Sequence, residues 1–235
     1  MPAPRIVVLT GAGVSAESGV DTFRTKGGLW DRYEVAEVAT PQGFAADPAK
    51  VHAFYDLRRA QLPNLSPNPA HVALAEMEAR LEAGGGALTL VTQNVDDLHE
   101  RAGSRSVLRV HGELAKAECA ACDAVSAWTG PMGVGAVCPQ CMNGGALRPH
   151  VVWFGEEPRH LDQAEAALTV ADLFVSIGTS GSVYPAAGMV HAARAAGART
   201  MELNLEPSEN ADAFDDARYG LASEVVPRWA EEVTW

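Results

Sequence analysis

The segment Arg5–Ser15, with the sequence RIVVLTGAGVS, decides the fold class. After Arg5 it begins with a continuous apolar run, which is typical of a strand buried in a parallel sheet. The run passes directly into Gly11, Ala12 and Gly13, and the residues that follow read as the start of a helix. A strand, a glycine turn and a helix in this order form the place where α/β proteins bind phosphate groups. The segment therefore predicts an α/β domain that binds a phosphate-bearing ligand.

Strands and helices alternate along the rest of the chain. Apolar runs predict four more strands, over Leu88–Thr92, Val107–Val110, Asp172–Ile177 and Thr200–Asn204. Helical patterns lie between them, over Pro69–Glu82 with Asn68 as its cap, over Pro158–Val170, and over Pro185–Ala196 ending at Gly197. This alternation indicates a doubly wound, Rossmann-like parallel sheet.

Two segments interrupt the alternation and predict a small second domain. Residues 27–66 read as a helical insertion with a helix over Pro48–Leu62, and residues 113–147 are rich in glycine and poor in strand pattern. Neither segment can bury a core alone, so we expect them to pack together beside the sheet. The larger domain then comprises residues 1–26, 67–112 and 148–235. A ligand cleft is expected between the two domains.

Composition narrows the classes of function. The chain has 235 residues, of which 47% are hydrophobic, and a net charge of -12. This hydrophobic content excludes a disordered chain, and the negative charge disfavours nucleic acid as a partner. No apolar run approaches the roughly 18 residues of a membrane-spanning helix, and the N-terminus does not resemble a signal peptide. We therefore expect no membrane partner and a cytoplasmic location.

The four cysteines predict one structural zinc ion. Cys119, Cys122, Cys138 and Cys141 form the pattern C-x2-C-x15-C-x2-C, which is the spacing of a zinc ribbon or treble-cleft knuckle. Two such pairs facing each other make a tetrahedral cage of thiolates with no open position for water. Disulfides or redox pairs are the alternative, and the absence of an export signal disfavours disulfides.

The first glycine turn carries additional donors for an anion. Ser15 and Ser18 offer hydroxyl groups, and Arg24 offers charge-assisted hydrogen bonds to a pyrophosphate. An ordinary tight turn between a strand and a helix is the alternative. The combination of donors favours the phosphate site.

Polar residues also follow two later strands. Gln93, Asn94 and Asp96 come directly after the second predicted strand, and His111 follows the third. The carboxyl ends of such strands face the ligand crevice, so His111 is a candidate general base there. The alternatives are a helix capped by Asn94 or Asp96 and a structural histidine.

Taken in order, these motifs resemble the sirtuins, the NAD-dependent protein-lysine deacylases. The pattern G-A-G-x-S-x-x-S-G-x-x-x-F-R begins at Gly11, and T-Q-N-x-D-x-L-H begins at Thr92. The pair H-G at His111 and the two C-x2-C pairs follow, and later segments agree at residues 151–156, 178–180 and 204–206. The resemblance covers nearly the whole chain, from about residue 7 to residue 227.

The resemblance implies a role for individual residues. His111 matches the catalytic base, and the four cysteines match the zinc ligands. The positions around NAD match Gly11, Ala12, Gly13, Ser15, Ser18, Gly19, Thr22, Phe23, Arg24, Trp30, Gln93, Asn94, Val95, Asp96, Gly178, Thr179, Ser180, Asn204, Leu205, Glu206 and Ala222. The positions around the substrate match Tyr55, Arg58, Val152, Phe154 and Gly155. Val152 and the segment after Gly181 are expected to clamp the peptide as an added β-strand.

The resemblance also implies a reaction in which NAD is consumed. The amide oxygen of the acyl-lysine attacks the anomeric carbon of the nicotinamide ribose, and nicotinamide leaves. His111 then removes a proton from a ribose hydroxyl, and the acyl group departs as O-acyl-ADP-ribose. A neutral imidazole near pH 7 suits this step.

Tyr55 and Arg58 predict which acyl groups are removed. They stand at positions i and i+3 of the predicted helix over Pro48–Leu62, so they share one face. A guanidinium binds a carboxylate bidentately and a phenol adds a donor, which suits succinyl- and malonyl-lysine. The resemblance to the desuccinylase and demalonylase class supports this choice and implies deacetylation as well. A surface helix with a snorkelling arginine is the alternative, and Arg59 competes with Arg58 for the role.

Other functions remain as alternatives. A mono-ADP-ribosyltransferase would share the cofactor and the first chemical step, and a non-catalytic sensor of NAD or ADP-ribose would share the fold. A zinc-ribbon module that binds nucleic acid is weaker, because few basic residues surround the cysteines. Asp21 departs from the family pattern, in which proline or a basic residue is expected. A carboxylate facing the diphosphate would weaken NAD binding, whereas an outward-facing one, which we expect, would have no effect.

Overall fold

The computed structural model describes residues 3–21 and 32–233. A six-stranded sheet forms its centre, and its strands are β1 (Arg5–Thr10), β2 (Ala87–Thr92), β3 (Val107–Arg109), β7 (Leu173–Ile177), β8 (Arg199–Asn204) and β9 (Asp216–Tyr219). All neighbouring strands pair in parallel, in the order β3-β2-β1-β7-β8-β9. The predicted doubly wound parallel sheet is confirmed.

Helices cover both faces of this sheet. One face packs against α4 (Pro69–Ala83) and α8 (Ala222–Glu232), the other against α6 (Leu161–Leu168) and α7 (Met189–Ala195), and α5 (Leu98–Ala102) lies between β2 and β3. Ile6 and Val8 of β1 point into the first core, whereas Val7 and Leu9 point into the second. Burial on both faces explains why β1 is apolar at consecutive positions. No helix in the part of the chain that the structure describes has the length and apolar content needed to cross a membrane.

The strand order changes direction between β1 and β7, and two glycine loops meet there. Gly13 N donates to Gly178 O at 2.9 Å, which joins the loop after β1 to the loop after β7. A Cβ atom on Gly13 would lie 2.7 Å from Gly178 Cα, and one on Gly11 would lie 2.8 Å from Gly178 O. Glycine is therefore required by the close approach of these two loops. The crevice beside such a switch point is where open α/β sheets bind ligands.

The two interrupting segments form a small lobe. It comprises α1 (Val35–Val38), α2 (Pro41–Ala46), α3 (Pro48–Gln61), β4 (Gly112–Cys119), β5 (Val125–Ala127) and β6 (Leu147–Val151). Phe54 and Tyr55 of α3 share one buried cluster with Leu114 of β4, Val151 of β6 and Trp153. The insertion and the cysteine segment thus bury their apolar residues against each other. The domain boundaries given above stay a prediction.

A small antiparallel sheet forms in and beside residues 113–147, the segment described above as poor in strand pattern. Its strands pair in the order β5-β4-β6. The register between β4 and β6 shifts between Gly112 and Ala117, which marks a bulge or irregularity. A shift of this kind breaks the two-residue alternation by which strands are recognised in a sequence. β9 and α8 were also not predicted.

Two predicted helices are shorter than expected. The helix predicted over Pro158–Val170 is α6, which begins only after His160, because His160 has a positive φ of 57° that an α-helix does not accommodate. The helix predicted over Pro185–Ala196 opens with a 3₁₀ turn over Ala186–Gly188 and becomes α-helical at Met189. The predicted Pro48–Leu62 helix agrees with α3 to within one residue.

Candidate active site and zinc centre

A cleft of about 1000 Å³ lies between the carboxyl ends of the parallel strands and the small lobe. Many residues matched to NAD-binding positions line it, namely Gly11, Ala12, Gly13, Gln93, Asn94, Val95, Asp96, Gly178, Thr179, Ser180, Asn204, Leu205, Glu206 and Ala222. His111 and the residues matched to substrate positions, Tyr55, Arg58, Val152, Phe154 and Gly155, line the same cleft. The structure therefore brings residues from distant parts of the chain to one cavity.

Among the described residues matched to NAD positions, three do not line the cleft. Ser15, Ser18 and Gly19 lie outside its lining. Thr22, Phe23, Arg24 and Trp30 lie outside the described residues. The expected pyrophosphate contact of Arg24 stays a prediction for that reason.

The hydroxyl groups of Ser15 and Ser18 bond to protein groups. Ser15 is fully buried, and its Oγ accepts a hydrogen bond from Asn94 Nδ2 at 3.1 Å. His71 Nδ1 accepts from Asn68 N, so His71 Nε2 carries the ring proton and donates to Ser15 Oγ at 3.3 Å. Ser18 Oγ accepts from Asn68 Nδ2 at 3.1 Å. These bonds fix the loop that faces the ligand, and they use only the acceptor side of each hydroxyl group. The expectation that Ser15 and Ser18 donate to a phosphate stays a prediction.

Two buried histidines stand behind this loop. The rings of His71 and His99 lie 4.8 Å apart, and His99 Nε2 lies 3.0 Å from Thr10 Oγ1. Burial lowers the pKa of His71 to about 4 and lowers the pKa of His99 well below its ordinary value. Both imidazoles are therefore neutral at pH 7.

We expect acidification to destabilise the protein partly through His71. In the unfolded chain this imidazole binds a proton near pH 6.5, whereas in the folded protein it stays neutral down to a pH of about 4. The unfolded state binds more protons in this window, so the free energy of unfolding falls as the pH falls. The free energy of unfolding of His71→Gln, measured by urea denaturation, should change by about 2 kcal/mol less between pH 6.5 and 4.5 than that of the unsubstituted protein.

The exposed His191 provides a matched control for this measurement. His191→Gln should follow the unsubstituted protein at every pH. Acid release of zinc affects all three proteins alike, so the readout is the difference between their curves. Equal pH dependence for His71→Gln and the unsubstituted protein would contradict the assignment.

The geometry of His111 leaves its Nε2 atom unprotonated and able to accept a proton. His111 Nδ1 lies 3.1 Å from the carbonyl oxygen of Gln93. A carbonyl oxygen only accepts hydrogen bonds, so Nδ1 carries the proton and the neutral ring leaves a lone pair on Nε2. Burial lowers the pKa of His111 from its ordinary value, which keeps the ring neutral near pH 7. The backbone oxygen of His111 also accepts from Val152 N at 2.9 Å, which fixes the residue at the cleft.

The edge expected to clamp a peptide has few free donors. The N–H of Val152 is bonded to His111, and Phe154 N donates to Ala39 O at 2.9 Å. Val152 can therefore pair with an added strand only through its carbonyl oxygen. The clamp stays a prediction. Because Val152 offers only its carbonyl oxygen, a bound peptide would make most of its backbone hydrogen bonds with the opposite edge, after Gly181.

The structure separates the roles of Arg58 and Arg59. Arg58 lines the cleft, and its Cζ lies 5.9 Å from the centre of the Tyr55 ring. Arg59 is only 2% exposed, and its Nε donates to Leu114 O at 2.9 Å inside the small lobe. Its guanidinium also pairs with Asp56. Arg58 is therefore the arginine of this pair that faces the cleft.

Asp21 lines the same cleft instead of facing outward as expected. Its side chain is half-buried. Burial lowers the pKa of Arg58, and the charges of Tyr55, Asp96 and Asp21 oppose that effect. Asp21 thus adds negative charge within electrostatic range of the Arg58 guanidinium. The effect of Asp21 on NAD binding stays a prediction.

The four cysteines form a cluster that fits zinc. All four Sγ atoms lie within 4.8 Å of one another, and no pair forms a disulfide. Cys119 Sγ lies 3.7 Å from Cys141 Sγ, and Cys122 Sγ lies 3.8 Å from Cys138 Sγ. Tetrahedral coordination with Zn–S bonds of about 2.3 Å requires sulfur atoms about 3.8 Å apart. The cluster matches a closed, structural Zn²⁺ site.

The fold and the cleft define a dinucleotide-binding α/β protein with a zinc-braced second lobe. The chain belongs to the Sir2 family, whose family model matches residues 11–185. A protein of Caulobacter vibrioides named NAD-dependent protein deacylase is 60% identical over 97% of this chain and 96% of its own length. A protein of Escherichia coli strain K12 with the same name is 52% identical over 99% of this chain and 83% of its own length.

Solved structures of Sir2 homologues share this architecture. One NAD complex has 42% identity and a TM-score of 0.86, and covers 96% of this chain and 88% of that chain. A complex of a mutant Sir2 protein with a deacetylated peptide and 3'-O-acetyl-ADP-ribose has 28% identity and a TM-score of 0.83, and covers 97% of this chain and 93% of that chain. The resemblance to sirtuins inferred from the motifs is thereby confirmed.

Proposed function

We propose that the protein removes succinyl and malonyl groups, and also acetyl groups, from protein lysines. The chain is an NAD-dependent protein deacylase, as its family membership and its 60% identity to a protein of that name support. Nicotinamide and O-acyl-ADP-ribose are the products. The preference for acidic acyl groups rests on one observation, which is that Arg58 faces the cleft beside Tyr55 while Arg59 is buried away from it.

His111 acts as the general base in this proposal. When bound, NAD supplies the electrophilic ribose carbon and the hydroxyl group that takes over the acyl group. His111 Nε2 accepts the proton of that hydroxyl, because the Gln93 carbonyl holds the ring proton on Nδ1. Burial of the imidazole favours its neutral form, which is the form that accepts a proton.

The loops after β7 and β8 hold the adenosine side of NAD. Asn204 Nδ2 donates to Thr179 O at 2.8 Å, and Asn204 Oδ1 accepts from Leu205 N at 3.0 Å. The first bond ties the two loops together at the edge of the cleft, and the second fixes the Asn204 side chain that makes it. Ser180, Glu206 and Ala222 line the cleft near this junction and complete the proposed adenosine site.

Arg58 and Tyr55 bind the carboxylate at the end of a succinyl or malonyl group. A carboxylate that enters the cleft loses water, and it needs a cation and hydrogen-bond donors in exchange. Arg58 supplies the charge and a planar set of donors, and the Tyr55 hydroxyl adds one more. An acetyl group makes neither contact, so it is a poorer substrate for this part of the cleft.

Arg58→Met is expected to reduce kcat/KM for a succinyl-peptide about 10- to 150-fold, which corresponds to one charge-assisted hydrogen bond. The same substitution should change kcat/KM for the acetyl-peptide much less. Lys50→Met removes a cation from the same helix at a site paired with Glu37, outside the cleft lining, and is the matched control. Equal losses of kcat/KM on the two peptides would show that Arg58 does not distinguish between the acyl groups.

Proteins with acylated lysines are the proposed substrates, and the cytoplasm is the proposed location. Mass spectrometry of the products tests the reaction type. Deacylation yields O-acyl-ADP-ribose and an unmodified lysine, whereas a mono-ADP-ribosyltransferase would leave ADP-ribose on the protein. Nicotinamide release alone does not separate these two reactions.

A further inference from the structure

The indole of Trp153 bonds to the phenol of Tyr55. Trp153 Nε1 donates a hydrogen bond to the Tyr55 hydroxyl oxygen at 2.9 Å. Trp153 is 2% exposed and Tyr55 is 1% exposed, although both residues line the cleft. The bond therefore lies in the wall of the cleft, shielded from water. Trp153 has no part in acyl recognition as described so far.

This bond dictates where the Tyr55 hydroxyl hydrogen points. A phenol oxygen carries one hydrogen, and it accepts close to the plane of the ring. Because the Trp153 N–H occupies one side of the oxygen, the hydrogen is directed to the other side. No acceptor for it is found among residues 3–21 and 32–233. Burial raises the pKa of Tyr55, so the hydrogen is retained at neutral pH.

The Trp153 ring is itself held in place. The Arg148 guanidinium lies 3.7 Å from the centre of the indole. Arg148 pairs through two nitrogens with Glu156 at 2.6 and 2.9 Å, and Glu156 Oε2 accepts from Trp153 N at 2.8 Å. Charge-assisted bonds and cation–π stacking thus fix both the backbone and the ring of Trp153.

We infer that Trp153 is a positioning residue for acyl selectivity, which directs the Tyr55 hydroxyl as a donor toward the terminal carboxylate of a succinyl or malonyl group. The inference rests on the proposed function. Arg58 supplies the charge, whereas the Trp153–Tyr55 pair supplies a donor in a fixed direction. A donor that is already oriented loses no rotational freedom when the substrate binds.

A purely structural role for Trp153 makes a different prediction. Trp153 also packs against Phe44, with ring centres 5.1 Å apart, and belongs to the core of the small lobe. Trp153→Phe keeps an aromatic ring in that core but removes the N–H group. A structural role would lower all acyl-peptide rates together, and a positioning role would lower the selectivity.

The test measures the ratio of kcat/KM on a succinyl-peptide to that on an acetyl-peptide of the same sequence. Trp153→Phe should lower this ratio about 2- to 10-fold, the range expected for one neutral hydrogen bond. Partial unfolding cancels from the ratio because both rates are measured on one protein. Trp128→Phe is the matched control, since the Trp128 indole donates to Pro131 O in the small lobe and lies outside the cleft lining.

Tyr55→Phe and the double variant Tyr55→Phe/Trp153→Phe complete a double-mutant cycle. Because Trp153 acts through the Tyr55 oxygen, Trp153→Phe should lower the ratio no further once Tyr55 is Phe. An unchanged ratio in Trp153→Phe, with lowered ratios in Tyr55→Phe and Arg58→Met, overturns this inference and leaves the proposed function standing. An additive loss in the double variant also overturns it. Unchanged ratios in Tyr55→Phe and Arg58→Met overturn the proposed acyl preference itself.

Discussion

Replacing His111 by Ala should lower the rate of deacylation by at least ~100-fold, as the loss of a positioned general base requires. The substitution removes the Nε2 lone pair that the Gln93 carbonyl keeps available. The zinc content and the melting temperature should stay close to those of the unsubstituted protein, because the His111 ring makes one hydrogen bond and lies at the cleft. Steady-state turnover of an acyl-peptide measures the effect.

His191→Ala, on the exposed side of α7, is the matched control and should retain full turnover. The pH profile adds an independent readout. Burial lowers the pKa of His111, so the neutral, proton-accepting ring persists below pH 6.5, and kcat/KM should fall only on further acidification. Turnover by His111→Ala close to that of the control would contradict the role of His111.

Replacing Cys141 by Ala should release the zinc ion and destabilise the small lobe. In residues 3–21 and 32–233, the apolar cluster around the cysteines contains five buried residues, Ala117, Cys119, Met132, Cys138 and Leu147. A cluster of this size does not hold the segment around the cysteines together, so the folding energy of that part of the lobe must come from the metal. We expect a loss of at least several kcal/mol in the free energy of unfolding, and less than one zinc ion per chain.

Metal analysis and thermal melting of the purified variant check this prediction. Met142→Ala is the matched control, because Met142 follows Cys141 directly and is 72% exposed. It should bind one zinc ion and melt like the unsubstituted protein. A Cys141→Ala protein with the same melting temperature and one bound zinc ion would show that the cysteines hold something else.

The parts of the fold with regular patterns could be predicted from the sequence. β1 and β7 are apolar at consecutive positions because both of their faces are buried, and that run is visible in the sequence. The Asn68 cap and the proline after it likewise place the start of α4, and the cap bond from Ala70 N to Asn68 Oδ1 is present at 2.9 Å. Local physical chemistry determines these features, so a single sequence suffices.

The elements that were missed carry mixed or broken patterns. Val225, Val226, Trp229 and Ala230 of α8 are buried at helical spacing, but Pro227 lies among them and reads as a helix breaker. The spacing of those four residues was a usable signal for the helix. The sequence signal for strand β4 is weaker, because the charged residues Glu113, Lys116 and Glu118 lie along it.

The sequence predicts which residues belong to the candidate site more readily than it predicts how their side chains are oriented. The sequence suggests that Ser15 and Ser18 are donors to a ligand, but it does not show that their hydroxyl oxygens also accept hydrogen bonds, Ser15 from His71 and Asn94 and Ser18 from Asn68. Which of Arg58 and Arg59 faces the cleft depends on the rotation of α3 about its axis where it packs against β4. Tertiary packing sets both outcomes, and a one-dimensional pattern does not contain it.

The contact between the two glycine loops has a consequence for how this chain tolerates mutation. A Cβ on Gly178 would lie 2.4 Å from Val14 N, and one on Gly13 would strike the backbone of Gly178. Backbone atoms cannot move aside as a side chain can, so a substitution in one loop finds no relief through a second substitution in the other. In a saturation mutagenesis experiment, Gly13 and Gly178 should therefore accept no other amino acid, and no pair of changes should restore function. Two loops far apart in the sequence are constrained as a single evolutionary unit.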